Sequence, residues 1–250
     1  MKIGAQLYTL REFCKTPEGL SESLKKVADI GYTTVQISGT CPFEAQWLKN
    51  ELDKNGLSCV ITHTPATQLK EDPAKVCADH KVFDCQYVGL GWYKFKDGDL
   101  SQIYQEFSAT YGPIAKTIRE NGRYFMYHHH DMEFQKLEGQ TILRKLYQDF
   151  SPEDMGFTLD TYWIQKGGAD PAQYIREFAG RIPCIHLKDY GYTATMEAVG
   201  QGNINWNAVF SAAADSQVDY MLVEQDNCNG LDPFDCLKTS YDFLKANGFE

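Results

Sequence analysis

The chain is 250 residues long, 43% hydrophobic, and carries 34 acidic against 24 basic side chains, a formal net charge of −10. That length can bury one sizeable core, and that charge disfavours a nucleic-acid partner, whose phosphates call for clustered Lys and Arg. No run of about 18 apolar residues occurs, and the opening MKIGAQLYTLREF lacks the apolar stretch of a secretion signal, so neither a membrane partner nor export is expected.

In chain order, short β-rich runs alternate with amphipathic stretches. After the first run, Lys2–Tyr8, Thr16 offers a helix cap, Pro17 suits the first turn, Leu20, Leu24, Val27 and Ile30 recur at helical spacing, and Gly31 is a stop. Thr33–Ser38 precedes a helix near 43–55, Ser58–His63 one near 71–81, and Gln86–Leu90 a long one near 99–121. Tyr124–His128 leads to a helix near 139–149, Gly156–Asp160 to one near 171–179, Cys184–Lys188 to one near 205–215, and Tyr220–Gln225 to the last near 232–247. Eight units of about 31 residues, each close to one βαβ crossover, predict an α/β fold, a single (β/α)8 barrel over residues 1–250. An open doubly wound sheet would need a G-x-G-x-x-G after its first strand, which is missing. The eight cysteines form no CxxC pair and several sit in apolar runs such as Leu57–Ile61, which reads as reduced core thiols of a cytoplasmic protein.

In such a barrel the reactive groups stand at the C-terminal ends of the strands. Those ends carry Gln6 and Tyr8, Gln36, His63, then His128-His129-His130 with Asp131 and Glu133, Asp160, His186 with Lys188, and Glu224 with Gln225. Strands five to eight thus each finish in a residue able to bind a metal. Side chains converging on the mouth of a barrel need a counter-ion for their like charges, and a divalent cation supplies one. Each residue also has a plainer role open to it. His63 alone reads as a hydrogen-bonded loop histidine, Asp160 as a helix cap, and at most two of the three successive histidines can share one face of a strand. Tyr8, Trp92, Tyr162 and Trp163 suit stacking on a sugar ring or ordinary loop packing.

These strand ends resemble the sugar phosphate isomerase/epimerase family, with its xylose isomerase-like TIM barrel. The resemblance runs the whole length, through Gly4–Arg11, Ala28–Tyr32, Tyr127–Phe134, Leu159–Trp163, Arg181–Asp189, Gly200–Gly202 and Val223–Asp226. It implies one divalent ion, Mn, Co, Mg or Zn, held by two Glu, one Asp and one His. Asp160, His186 and Glu224 match the last three positions. Where ketose epimerases place the first Glu, this chain has Tyr127, so Glu133 reaches back as the fourth metal ligand, or His128 or His130 replaces it, or water completes the set. Further departures are His129, where the most similar branch has Asn, and Trp163, where epimerases keep a substrate-binding His. The second departure counts against simple ketose 3-epimerisation.

The expected chemistry is proton abstraction beside a metal-bound carbonyl of a sugar or keto-sugar. Glu133 and Glu224 are the candidate bases, His128 and His130 candidates for proton transfer, and Lys188 the candidate for stabilising negative charge. The outcome is isomerisation or epimerisation, with elimination by a dehydratase or lyase on a keto-sugar or keto-glycoside as the alternative, and a non-catalytic sugar-binding barrel as a third reading. The partner is a small carbohydrate, and a homo-oligomer is compatible with the sequence. A phosphorylated substrate is unsupported, since Gly200-Gln201-Gly202 is a single short element that reads as a turn, and an unphosphorylated sugar or keto-sugar is expected.

Overall fold

Eight apolar-rich runs pair in parallel and close on themselves. The structure, a computed structural model, describes residues 1–249. The barrel strands are β1 (Lys2–Gln6), β2 (Thr34–Ile37), β3 (Ser58–His63), β4 (Tyr87–Leu90), β5 (Tyr124–His128), β6 (Met155–Asp160), β7 (Cys184–Leu187) and β8 (Tyr220–Val223). They form a closed barrel in sequential order, β8 pairing with β1. The expected (β/α)8 TIM barrel is therefore the fold.

Helices pack outside: α1 (Pro17–Ile30), α2 (Ala45–Lys54), α3 (Ala66–Glu71), α4 (Pro73–Val82), α5 (Leu100–Glu120), α6 (Ile142–Asp149), α7 (Thr161–Lys166), α8 (Pro171–Glu177), α9 (Trp206–Asp215) and α10 (Pro233–Ala246). In α1 the Thr16 side chain accepts from Gly19 N, and Leu20, Leu24 and Val27 are fully buried. Burying such side chains is worth about 1.5–3 kcal/mol each relative to exposure. Gly31 ends the helix at φ +121°, and a Cβ there would lie 2.4 Å from the Tyr241 hydroxyl.

Three boundaries depart from the sequence expectation, each for a local reason. The helix expected over 71–81 begins at Pro73 as α4, and a short α3 that was not expected precedes it, because Asp72 caps Lys75 N and Pro73 cannot donate to a continuing helix. The helix expected from 139 begins at Ile142, since Gln140–Thr141 first pairs with Lys136–Leu137 in a hairpin. Strand β1 stops at Gln6, where Leu7–Leu10 winds into a 3₁₀ turn capped by the Gln6 side chain. Among the described residues no disulfide forms, and no helix is long and apolar enough to cross a membrane.

The period-two alternation of strands decides what enters the barrel. Val60, Ile61, Met126, Cys184 and Leu222 make a separate apolar cluster that plugs the interior. Two residues further along three of those strands, the same alternation brings His128, His186 and Glu224 to the inner face, one layer above the plug. Register aligns that layer, with Asp160 beside His186 and Gln6 beside Gln36. Gly4 is required beneath it, because a Cβ would come within 2.7 Å of the Leu222 side chain and 2.3 Å of Thr34 Oγ1.

Candidate metal centre

At the mouth of the barrel, one ligand atom each from His128, Asp160, His186 and Glu224 lies within 4.8 Å of all the others, and all four residues are buried. The local sequence fixes each side chain by one of its two polar ends and turns the other into the centre. Asp160 ends β6 and caps α7: its Oδ1 accepts from Tyr162 N at 2.9 Å and Trp163 N at 3.1 Å, leaving Oδ2 facing inward. Glu224 Oε1 accepts from Gln6 Nε2 at 2.6 Å, and its Oε2 faces the centre. His186 Nε2 donates to Gln36 Oε1 at 2.7 Å, and its Nδ1 faces Glu224 Oε2 at 2.9 Å and Asp160 Oδ2 at 3.7 Å. His128 Nδ1 donates to Gly91 O at 3.0 Å, so its Nε2 faces Asp160 Oδ2 at 3.4 Å. Two carboxylate oxygens and two imidazole nitrogens, each oriented by an outer partner, are a donor set suited to a divalent ion such as Mn, Co or Zn. The residues fit the group that the sequence implies.

Lys188 enters the same centre from just beyond β7. Its Nζ lies 3.2 Å from Asp160 Oδ2, 2.9 Å from Glu224 Oε2 and 3.1 Å from Asp226. Burial disfavours the ammonium, but these three carboxylates override it and raise the Lys188 pKa above its ordinary value. Burial would likewise raise the Asp160 and Glu224 carboxyls. Lys188 foremost, with the neighbouring imidazoles, holds both well below the usual carboxylate range instead. The same carboxylates raise His186 to about 9 despite its burial, and burial with Glu224 raises Asp226, so the centre gathers positive charge around its carboxylates, a role that a divalent cation would also fill.

Glu133 lies outside this group. The 3₁₀ turn Met132–Phe134 carries it back to the outer side of β5, where one oxygen accepts from the Tyr127 hydroxyl and the other from His130 N at 2.9 Å. Burial pushes its carboxyl up to about 7. His129 also points away from the centre, yet supports it: its Nε2 accepts from Asp160 N at 3.1 Å while Nδ1 donates to His130 O. Burial lowers His129 to about 3, so it stays neutral as that bond requires. His130 packs between His128 and Trp163, ring centroids 4.8 and 5.0 Å away, and burial lowers it to about 2.

Three contributors were not legible from residue type. Asp226, two residues past Glu224, joins the centre through Lys188, and Gln6 and Gln36 act as the tethers of Glu224 and His186; both glutamines stood at strand ends, but nothing in a lone Gln signals its partner. Of the expected aromatics, Trp163 borders the site with its Nε1 unpartnered, and the Lys188 ammonium lies 5.3 Å from its ring centre. The Tyr162 hydroxyl is spent on Ala194 O, and Tyr8 and Trp92 are exposed. Lys188 forms no pair with Asp189. The Asp189 carboxylate instead accepts from Gly200 N, Gly202 N, Ile204 N and the Trp206 indole, so it occupies the glycine turn after β7 with a built-in anion.

A family model described as a xylose isomerase-like TIM barrel matches residues 24–247. Among solved structures, a sugar phosphate isomerase/epimerase from Parabacteroides distasonis superposes with a TM-score of 0.85 at 20% identity, covering 99% of this chain and 94% of its own. An L-ribulose 3-epimerase gives 0.77 at 17% identity, covering 98% and 94%. The probable 3-DHS dehydratase from Bacillus anthracis gives 0.74 at 14%, covering 98% and 99%. At such identities these likenesses show the fold. No curated protein matches the sequence.

Proposed function

The chain belongs to the xylose isomerase-like TIM barrel family, and from that premise we propose that it is a divalent-metal-dependent isomerase or epimerase of an unphosphorylated sugar or keto-sugar. The observation that carries the reading is the inward layer of His128, Asp160, His186 and Glu224, each with one polar atom anchored and one turned to a common centre. These four would hold the ion, with His128 in the β5 position instead of Glu133. Bound there, the ion supplies Lewis acidity that makes a carbon next to a sugar carbonyl acidic. Glu224 takes that proton with Oε1, the oxygen that Gln6 holds in place, while Oε2 is left to the ion. Lys188 binds the substrate oxygen on which negative charge develops, a role for which its buried ammonium is already charged. Trp163 closes one side of the site against water. Asp189's occupation of the glycine turn supports a substrate without phosphate, because the backbone donors that would bind it are taken.

One observation favours elimination as the second reading. The Lys188 ammonium lies 2.9 Å from Glu224 Oε2, so acid and base sit on one side of the substrate. Glu224 removes the carbon-bound proton, the electron pair forms the double bond, and the departing hydroxyl or alkoxide takes its proton from Lys188. The test is turnover in deuterated water of unphosphorylated ketoses and keto-glycosides, after chelator treatment and after adding Mn back. Deuterium at one carbon marks isomerisation or epimerisation, and loss of a substituent marks elimination. Undiminished turnover after complete metal removal contradicts both readings.

A further inference from the structure

Beside the metal centre, the loop after β2, the end of β3 and helices α3 and α4 enclose a cavity of about 450 Å³, within the roughly 300–1,000 Å³ range of small-molecule pockets. His63 is the wall that the two spaces share. It lines the cavity, and its ring lies 5.1 Å from that of His128 and 5.6 Å from that of His186. Its Nδ1 meets Ser38 Oγ at 3.2 Å, and its buried Nε2 has no partner. Gly91 leaves room for that ring, since a Cβ there would stand 2.7 Å from Nδ1.

We propose that this cavity is a second subsite, holding a further sugar ring of a disaccharide whose reacting ring lies over the metal centre. The proposal rests on the reading of that centre as a sugar site and extends it to the length of the substrate. Three features select the occupant. Phe43 and Phe83, edge to face at 6.4 Å, give the cavity an apolar wall of the kind that packs on the carbon face of a sugar ring. Acceptors dominate the rim formed by α3 and α4: Lys75 pairs with Asp79, Asp72 caps α4 through Oδ1, and Glu71 has no ion pair among the described residues. Such a rim receives hydroxyl donors and repels phosphate or carboxylate substituents. The unpartnered, buried His63 Nε2 is a polar atom on the wall that the two spaces share, left for a hydroxyl of the ligand.

Calorimetry on the Mn-loaded protein tests it, with glucose as the one-ring probe and maltose, cellobiose, trehalose and sucrose as two-ring probes. The expected result is that the best disaccharide binds at least tenfold more tightly than glucose, and that Gln68→Trp or Thr40→Trp, each filling the cavity from its lining, brings that ratio to about one. Equal affinities in the unaltered protein, or a preference that survives both substitutions, overturn the subsite. Absence of binding by glucose and all four disaccharides overturns the subsite, while the reading of the metal centre is judged separately by the turnover of ketoses and keto-glycosides.

Discussion

His128 and Glu133 show how a single backbone turn redistributes roles. His128 ends β5 and Glu133 lies just beyond it, and residue type gives no reason to prefer one. Strand alternation sends His128 inward, and the Met132–Phe134 turn sends Glu133 outward to Tyr127. His128→Ala is expected to lower Mn affinity by at least about tenfold, whereas Glu133→Gln leaves it unchanged; calorimetric titration with Mn distinguishes them, and the reverse order contradicts the assignment. Away from the centre, His80 is buried between α4 and β3. Its Nδ1 donates to Val76 O at 2.7 Å and its Nε2 accepts from Thr62 Oγ1 at 2.8 Å, and burial lowers it to about 4. The unfolded chain therefore takes up this proton at higher pH than the folded one, so stability falls as pH drops from about 6.5 towards 4, by on the order of 3 kcal/mol for this group. Denaturant melts across that range should show a shallower acid loss in His80→Gln than in the unaltered protein. Equal slopes would mean that His80 is protonated in the fold.

At the scale of elements, the barrel strands were readable because β-branched and aromatic residues concentrate in them, and observed limits fall within two residues of the runs for all eight. Helix α7 was not, because it is a six-residue turn made by Asp160 capping two backbone NH groups, a signal that a lone Asp after a strand shares with many loops. Asp160 serves helix and centre at once, with a different oxygen for each, and substitutions can separate the two duties. Asp160→Asn keeps a capping oxygen and loses the inward charge, so it should forfeit metal binding with little change in melting temperature. Asp160→Ala should lose metal binding and a further ~1 kcal/mol, roughly 2–4 °C in a domain of this size. Calorimetric melts of the two metal-free variants measure the difference, and equal melting temperatures would show that the cap contributes nothing.

Taken whole, the molecule stacks a dry plug of Val60, Ile61, Met126, Cys184 and Leu222 under a charged layer, and closure of eight strands brings together groups up to 218 residues apart, as in the Gln6–Glu224 bond. The motifs marked which strands carry the chemistry. They did not mark Asp226, the glutamine tethers or the His63 wall, whose importance comes from neighbours across the barrel and not from their own type. The central claim is that this layer holds one divalent ion, and diffraction from Mn-soaked crystals at the Mn absorption edge measures it most directly. A single anomalous peak within bonding distance of His128 Nε2, Asp160 Oδ2, His186 Nδ1 and Glu224 Oε2 is the predicted result. A centre without a peak, or a peak held by Glu133 with His128 turned away, would contradict it.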